Sequence, residues 1–261
     1  MRNKFLKLAF VSIGLSLSVS AIAGPISTYY LTAGDQSKIY VIQGNSLVNT
    51  INTTSGYNHP YPIAVADTIR TFTYSGGRYG TEYALDGTPT GNEYYNPSFL
   101  SLTDGTTDGL NYNYAIKWNT GTVYQFDRSW ANPLALFSAG ESFGGITYDS
   151  SNQSLWLNNR STGETRNYSL TGSLLSDFNT STNVGWGLAY ETQTDSLWYW
   201  GDNDQTIRNY SKTGVLLESV VIPGVTGNIL GGEMSIRSIS VPAPSSLVLF
   251  GLALLALRRR S

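Results

Sequence analysis

Two stretches decide the fold: residues 145–175, GITYDSSNQSLWLNNRSTGETRNYSLTGSLL, and residues 187–217, GLAYETQTDSLWYWGDNDQTIRNYSKTGVLL. They align without a gap at an offset of 42 and agree at 13 of 31 positions, including Trp156/Trp198, Tyr168/Tyr210 and Gly172/Gly214. Chance would give about two on an average composition, so an internal repeat governs the chain. Within one unit the pattern predicts four short strands, Gly145–Tyr148, Ser154–Asn158, Thr165–Leu170 and Ser173–Phe178, from alternating apolar positions such as Ile146 and Tyr148. Thr171-Gly172 supplies the positive φ of a tight turn between the last two. Four strands in about 42 residues is the spacing of a β-propeller blade.

One aromatic position carries the period toward the N-terminus: Tyr40, Tyr83, Phe126, Tyr168 and Tyr210 lie 43, 43, 42 and 42 residues apart. A glycine follows four residues later in four units (Gly44, Gly87, Gly172, Gly214), and Trp130 stands there in the third. The 217 residues from Gly24 to Ser240 hold five such units. The first unit begins near Ser27–Leu31 and lacks an innermost strand, whereas Gly231-Gly232-Glu233-Met234-Ser235-Ile236 is a spare strand after the fifth. The expected fold is therefore all-β, a five-bladed propeller with four-stranded blades, in which residues 232–236 complete the first blade and remove the open inner edge.

Composition narrows the function. Charged residues make up 13% of the chain, and the 10 basic and 18 acidic side chains between the two termini leave a net charge of −8 there. A nucleic-acid binder would carry a basic face instead. With no cysteine and one histidine, His59, the chain has no disulfide, Cys/His zinc site or cysteine nucleophile.

Both ends read as address labels. Arg2, Lys4 and Lys7, the apolar run Leu8–Val19 and Ala21-Ile22-Ala23 compose a secretory signal peptide over residues 1–23, with cleavage leaving Gly24 first. The body spans 24–240. Residues 241–261 begin Val241-Pro242-Ala243-Pro244, continue as an apolar run to Leu257 and end in Arg258-Arg259-Arg260-Ser261. Such a run, helical at about 1.5 Å per residue, comes close to the roughly 30 Å of a bilayer core, with the arginines on the cytoplasmic side. The expected result is a transmembrane helix that holds the exported body outside.

This tail resembles the PEP-CTERM sorting signal of exopolysaccharide-producing Gram-negative bacteria, a Val-Pro-Glu-Pro motif followed by a short transmembrane helix and a basic cluster. Val241, Pro242, Pro244 and Arg258–Arg260 match, and Ala243 replaces the Glu. The resemblance implies export, transient membrane attachment, an exosortase-like processing enzyme as partner, and release into the envelope or extracellular space.

The body offers weaker chemical cues. His59 falls in a loop between the first two blades with no nucleophile-elbow motif beside it. Asp202-Asn203-Asp204 lacks the Glu an EF-hand needs at position 12, where Thr213 stands. The run from Asp104 to Gly109 reads as a pair of Asp-Gly turns. Trp156 and Trp198 recur at one blade position and read as packing between blades. Trp186 and Trp200 have Gly144 and Asn158 as counterparts in the fourth unit, so with Asp202 and Asp204 they are the candidate ligand contacts. No metal, cofactor or catalytic residue is assigned. The preferred function is a non-catalytic envelope or matrix interaction module, with an exopolysaccharide or an envelope protein as partner. The alternatives are a glycoside-active enzyme, with paired carboxylates drawn from Asp67, Glu141, Glu191 and Glu233, or a protein-docking scaffold.

Replacing Arg258, Arg259 and Arg260 together with Ser should weaken membrane retention and impair processing of the tail. Immunoblots of membrane and secreted fractions check this. Fractionation identical to the parent would remove the sorting role from the arginines.

Overall fold

The computed structural model describes residues 24–53, 59–73, 79–98, 101–180, 184–201 and 204–235. The signal peptide up to Ala23 (with Ala21), Asp202, Ile236 and the tail with Val241–Pro244 and Arg258–Arg260 lie outside these residues. No helix among the described residues is long and apolar enough to cross a membrane.

The repeat folds as read. Blade 1 contains β1 (Tyr29–Ala33), β2 (Lys38–Gln43) and β3 (Ser46–Asn52). Blade 2 contains β4 (Pro60–Val65), β5 (Ile69–Thr73), β6 (Tyr79–Tyr83) and β7 (Pro89–Tyr95). Blade 3 contains β8 (Leu102–Thr107), β9 (Tyr112–Lys117), β10 (Thr122–Asp127) and β11 (Leu134–Ser138). Blade 4 contains β12 (Phe143–Asp149), β13 (Ser154–Asn159), β14 (Glu164–Ser169) and β15 (Leu174–Asn179). Blade 5 contains β16 (Leu188–Glu191), β17 (Ser196–Trp200), β18 (Thr206–Ser211) and β19 (Leu216–Val221). The last strand, β20 (Ile229–Met234), pairs antiparallel with β1 and supplies the missing inner strand of blade 1. It starts two residues before the spare strand read from Gly231, at Ile229. The Gly231-Gly232 pair sits in mid-strand opposite Thr32 and Leu31, and Ile229 still reaches Ala33.

The repeated residues hold the blades together. Tyr40, Tyr83, Phe126, Tyr168 and Tyr210 occupy the third strand of successive blades, and all are buried. Trp156 packs against Val184, Leu188, Leu197 and Tyr199 of the following blade, and Trp198 packs against Tyr29, Leu31 and Tyr40 of blade 1. At the turn between the third and fourth strands, Gly172 and Gly214 have φ near +84° and +82°. Trp130 takes the equivalent place in blade 3 with φ +60°, and its N–H bonds Asp127 O as Gly172 N–H bonds Ser169 O. A bulky residue is costly in that region. Complete burial of the indole between Phe126 and Phe72 offsets the cost.

At the axis the inner strands converge on one side chain. Asp104 of β8 is fully buried; Oδ1 accepts the N–H of Gly105 at 2.8 Å and of Gly232 at 3.0 Å, and Oδ2 that of Ile146 at 3.0 Å and of Leu188 at 3.5 Å. One carboxylate thus joins the inner strands of blades 1, 3, 4 and, more weakly, 5. Burial pushes the Asp104 carboxyl well above its ordinary pKa, and the N–H groups of Ile146, Gly232 and Gly105 pull it back in part. The Asp104-Gly105 turn expected from the sequence is absent. The pair lies inside β8, and only Asp108-Gly109 turns, with Gly109 at φ +77°. Gly105 is required by approach: an added Cβ would stand 3.2 Å from the backbone of Ile63 in blade 2 and 2.8 Å from the Trp130 ring. Hydroxyls complete the seams, with Thr106 Oγ1 accepting Tyr148 N–H at 2.9 Å and Thr147 Oγ1 accepting Tyr190 N–H at 3.0 Å.

A short N-terminal strap closes the ring from outside. Gly24 N–H donates to Glu218 of β19 at 2.8 Å, Ser27 gives its N–H and hydroxyl to Glu191, and Thr28 O accepts Ser235 N–H.

Asp104→Ala should lower unfolding stability by at least about 3 kcal/mol, because several buried N–H groups lose their acceptor at about 1–3 kcal/mol each. Chemical denaturation would read this; stability equal to the parent would show that the axial contact contributes nothing.

Candidate functional site

The ends of the propeller differ in chemistry. Where the inner strands begin, the rim consists of interblade connections and of turns between second and third strands. Each blade places a residue here. Leu230 comes from the closing strand, His59 and Tyr61 from blade 2, Trp118 from blade 3, Gly144 and Arg160 from blade 4, and Trp186 from blade 5. Trp186, Tyr61 and Leu230 form one buried cluster. The Trp186 ring lies over Gly144, where an added Cβ would stand 2.5 Å from Cε2. The glycine of blade 4 thus leaves the space that the tryptophan of blade 5 fills.

Trp118 packs at 5.9 Å from Trp186, centroid to centroid, with the rings at 56°. The Arg160 guanidinium lies 5.3 Å from the centre of the Trp186 ring, a cation–π distance. His59 stacks on Tyr61 at 6.0 Å and holds φ +80°. Trp186 is only 8% exposed, whereas Trp118 is 42% exposed. Trp118 therefore presents the free indole surface, backed by Trp186 and Arg160. Two buried donor or acceptor atoms here, Trp186 Nε1 and His59 Nδ1, have no hydrogen-bond partner. Unpaired buried polar atoms are uncommon in folded proteins.

Of the residues singled out in the sequence, Trp186 reaches this mouth. Trp200 is buried in the core shared by blades 5 and 1, with Leu31, Ala189 and Ile207. Asp204 pairs with Arg208 and accepts the Thr206 N–H. Burial opposes its charge, yet the bonds from Arg208 and Thr206 win and lower its pKa. Trp118, Tyr61 and Arg160 were not read as contacts. A signal for two of them exists, because residues 118, 160 and 202 are spaced by 42, so Trp118 and Arg160 are the counterparts of Asp202.

The opposite mouth is acidic. A cavity of about 40 Å³ is lined by Thr107, Asp108, Tyr148, Tyr190, Glu233 and Ser235, among others. Asp108 Oδ1 accepts the N–H groups of Leu110, Asn111 and Tyr112. Lys212 pairs with Asp149 at 2.7 Å and with Asp195, and lies 4.9 Å from the centre of the Tyr190 ring. Burial raises the Lys212 charging cost, but the bonds from Asp149 and Asp195 prevail and raise its pKa. Glu233 is 5% exposed, and burial raises its pKa well above the ordinary value, with the nearby Thr106 hydroxyl and Met234 N–H pulling the other way. The four carboxylates considered for glycoside chemistry stand in different surroundings. Asp67 pairs with Arg128 and Arg70, Glu141 is exposed, Glu191 binds Ser27, and Glu233 is buried.

Comparison with known proteins adds an address and a fold. Residues 240–261 match the PEP-CTERM protein-sorting motif. No curated protein sequence matches the chain. A chain from the crystal structure of a nidogen/laminin complex superimposes with a TM-score of 0.58 at 10% identity, over 83% of this chain and 100% of that one. Virginiamycin B lyase from Staphylococcus aureus gives 0.48 at 15% identity, over 77% of this chain and 69% of that one. The first likeness is one of fold alone. The sorting motif marks the protein for export to the cell envelope and for recognition by an exosortase-type processing enzyme.

Gly144→Ala should displace the Trp186 ring from its seat, destabilise the protein by about 1–3 kcal/mol as overpacking does, and red-shift tryptophan emission. Unchanged emission and melting temperature would show that the ring does not depend on that glycine.

Proposed function

We propose that the exported propeller is a non-catalytic binding module of the envelope or extracellular matrix, and that its aromatic mouth takes a sugar ring of an exopolysaccharide. The observation that carries this reading is the half-exposed Trp118 indole backed by Trp186 and Arg160, beside two buried nitrogens without partners. An amphipathic ring surface with a few fixed polar groups suits a ligand that is apolar on its C–H face and polar at its edge. Hydroxyls of such a ligand would supply the partners that Trp186 Nε1 and His59 Nδ1 lack. A sorting motif for export to the cell envelope supports this reading, because it brings the protein toward the outside of the cell. The ion pairs of Asp67 with Arg70 and Arg128 and the bonds of Glu191 to Ser27 favour binding over glycoside cleavage, which needs two free carboxylates facing one bond.

A docking scaffold is the second reading, favoured by the outermost strands of blades 4 and 5. There Leu174, Leu175, Leu216 and Leu217 are each more than half exposed, on edges open to further pairing.

Glycan-array binding of the purified exported protein tests the first reading. Trp118→Ala should reduce the signal at least tenfold, about 1.4 kcal/mol or more, with no loss of thermal stability. Binding retained by this variant, or no glycan bound by the parent, would overturn it. Loss of a protein partner on Leu175→Glu and Leu217→Glu would favour docking instead.

A further inference from the structure

The acidic mouth contains a polar atom that the fold leaves unused. Glu233 Oε1 accepts the Met234 N–H at 3.1 Å, while Oε2 is buried and has no hydrogen-bond partner. The residue is 5% exposed and lines the cavity of about 40 Å³ between the inner-strand ends. Asp108, at the end of β8, lines the same cavity, and its three backbone bonds all go to Oδ1. The cationic side chains nearby are held by other groups: Lys212 by Asp149, Asp195 and the Ser151 hydroxyl, and Arg128 by Asp67 and the Gly109 carbonyl. The cavity thus has two carboxylates and the oxygens of Thr107, Ser150, Thr192 and Ser235 on its lining, and among the described residues no cation pairs with either carboxylate.

We propose that this mouth is a calcium site, with Glu233 and Asp108 as its anionic ligands. The donors are all hard oxygens. Among the described residues no group of three His, Asp or Glu side chains is gathered for a metal, so hydroxyls, carbonyls and water complete the shell. Ca²⁺ accepts such irregular sets of six to eight oxygens, whereas Mg²⁺ demands a near-ideal octahedron and keeps its waters. The volume suits one ion with a partial water shell, since a single water needs about 10–15 Å³ measured this way. Two carboxylates with neutral oxygens give an affinity of roughly 10⁻⁴–10⁻³ M, the range of extracellular calcium modules. The site is assembled by tertiary structure alone. Asp108 follows the inner strand of blade 3, Glu233 belongs to the closing strand, and no EF-hand loop is involved. An ion here would bridge the closing strand to blade 3 on the face opposite the aromatic mouth, so the inference is independent of the sugar-binding reading.

The test uses the purified exported protein after treatment with a chelator. CaCl₂, MgCl₂ and NaCl are titrated at matched ionic strength, and thermal unfolding and calorimetric binding are followed. Calcium alone should raise the melting temperature, with half-saturation at roughly 0.1–1 mM. Glu233→Gln should abolish the shift. Asp108→Asn keeps an oxygen for the turn N–H groups while removing the charge, so it folds and should weaken binding at least tenfold even if the Glu233 variant does not fold. No calcium response, an equal response to magnesium or sodium, or a response unaltered by Asp108→Asn would overturn the proposal.

Discussion

The carboxylate of Asp104 collects backbone N–H groups across the axis, and the layout of the whole ring depends on that contact. A side chain about 3 Å from the amides of other blades leaves room between the inner strands only for glycines and small hydroxyl side chains such as Thr106 and Thr147. Gly105, Gly145, Gly231 and Gly232 meet this requirement, for an added Cβ at Gly231 would stand 2.0 Å from Tyr61 O. Convergence at the centre leaves open surface along the axis only at its two ends. The aromatic mouth and the acidic mouth are thus opposite faces of one closed axis.

The units agree where a blade meets its neighbour and differ where it meets solvent at the rim. Trp156 and Trp198, Tyr168 and Tyr210 pack the same way in successive blades. Gly144 and Trp186 differ, and their difference is complementary in volume. Trp118 and Arg160 differ as well, and both approach Trp186. The rim therefore acquires a single asymmetric cluster from a nearly symmetric body.

That division explains what the sequence disclosed. Period, strand count and the closing strand follow from local alternation and from identities at an offset of 42, both properties of neighbouring residues. Asp104-Gly105 misled because its local preference for a turn was overridden by acceptor bonds to residues as far away as Gly232. Trp200 stood out by lacking a counterpart, yet it fills the core beside blade 1. Tyr61 joins the mouth through contacts between blades, which no local pattern encodes, whereas Trp118 was marked only by standing two repeats before Asp202. Glu233 was recognisable as an acid; only the fold shows one of its oxygens buried without a partner.

The strap at residues 24–28 would tie export to ring closure, were a leader removed just before it. Gly24 holds φ +105°, and a Cβ there would stand 2.0 Å from Gly44 O, so glycine is needed at this position. With cleavage after Ala23, as the sequence predicts, the nitrogen 2.8 Å from Glu218 changes from an amide into an α-ammonium. A hydrogen bond from an amide to a carboxylate then becomes an ion pair between two charged groups, at the seam where blade 1 meets blade 5. Maturation would act as a latch, and the precursor and the mature protein would differ in how firmly the circle is shut.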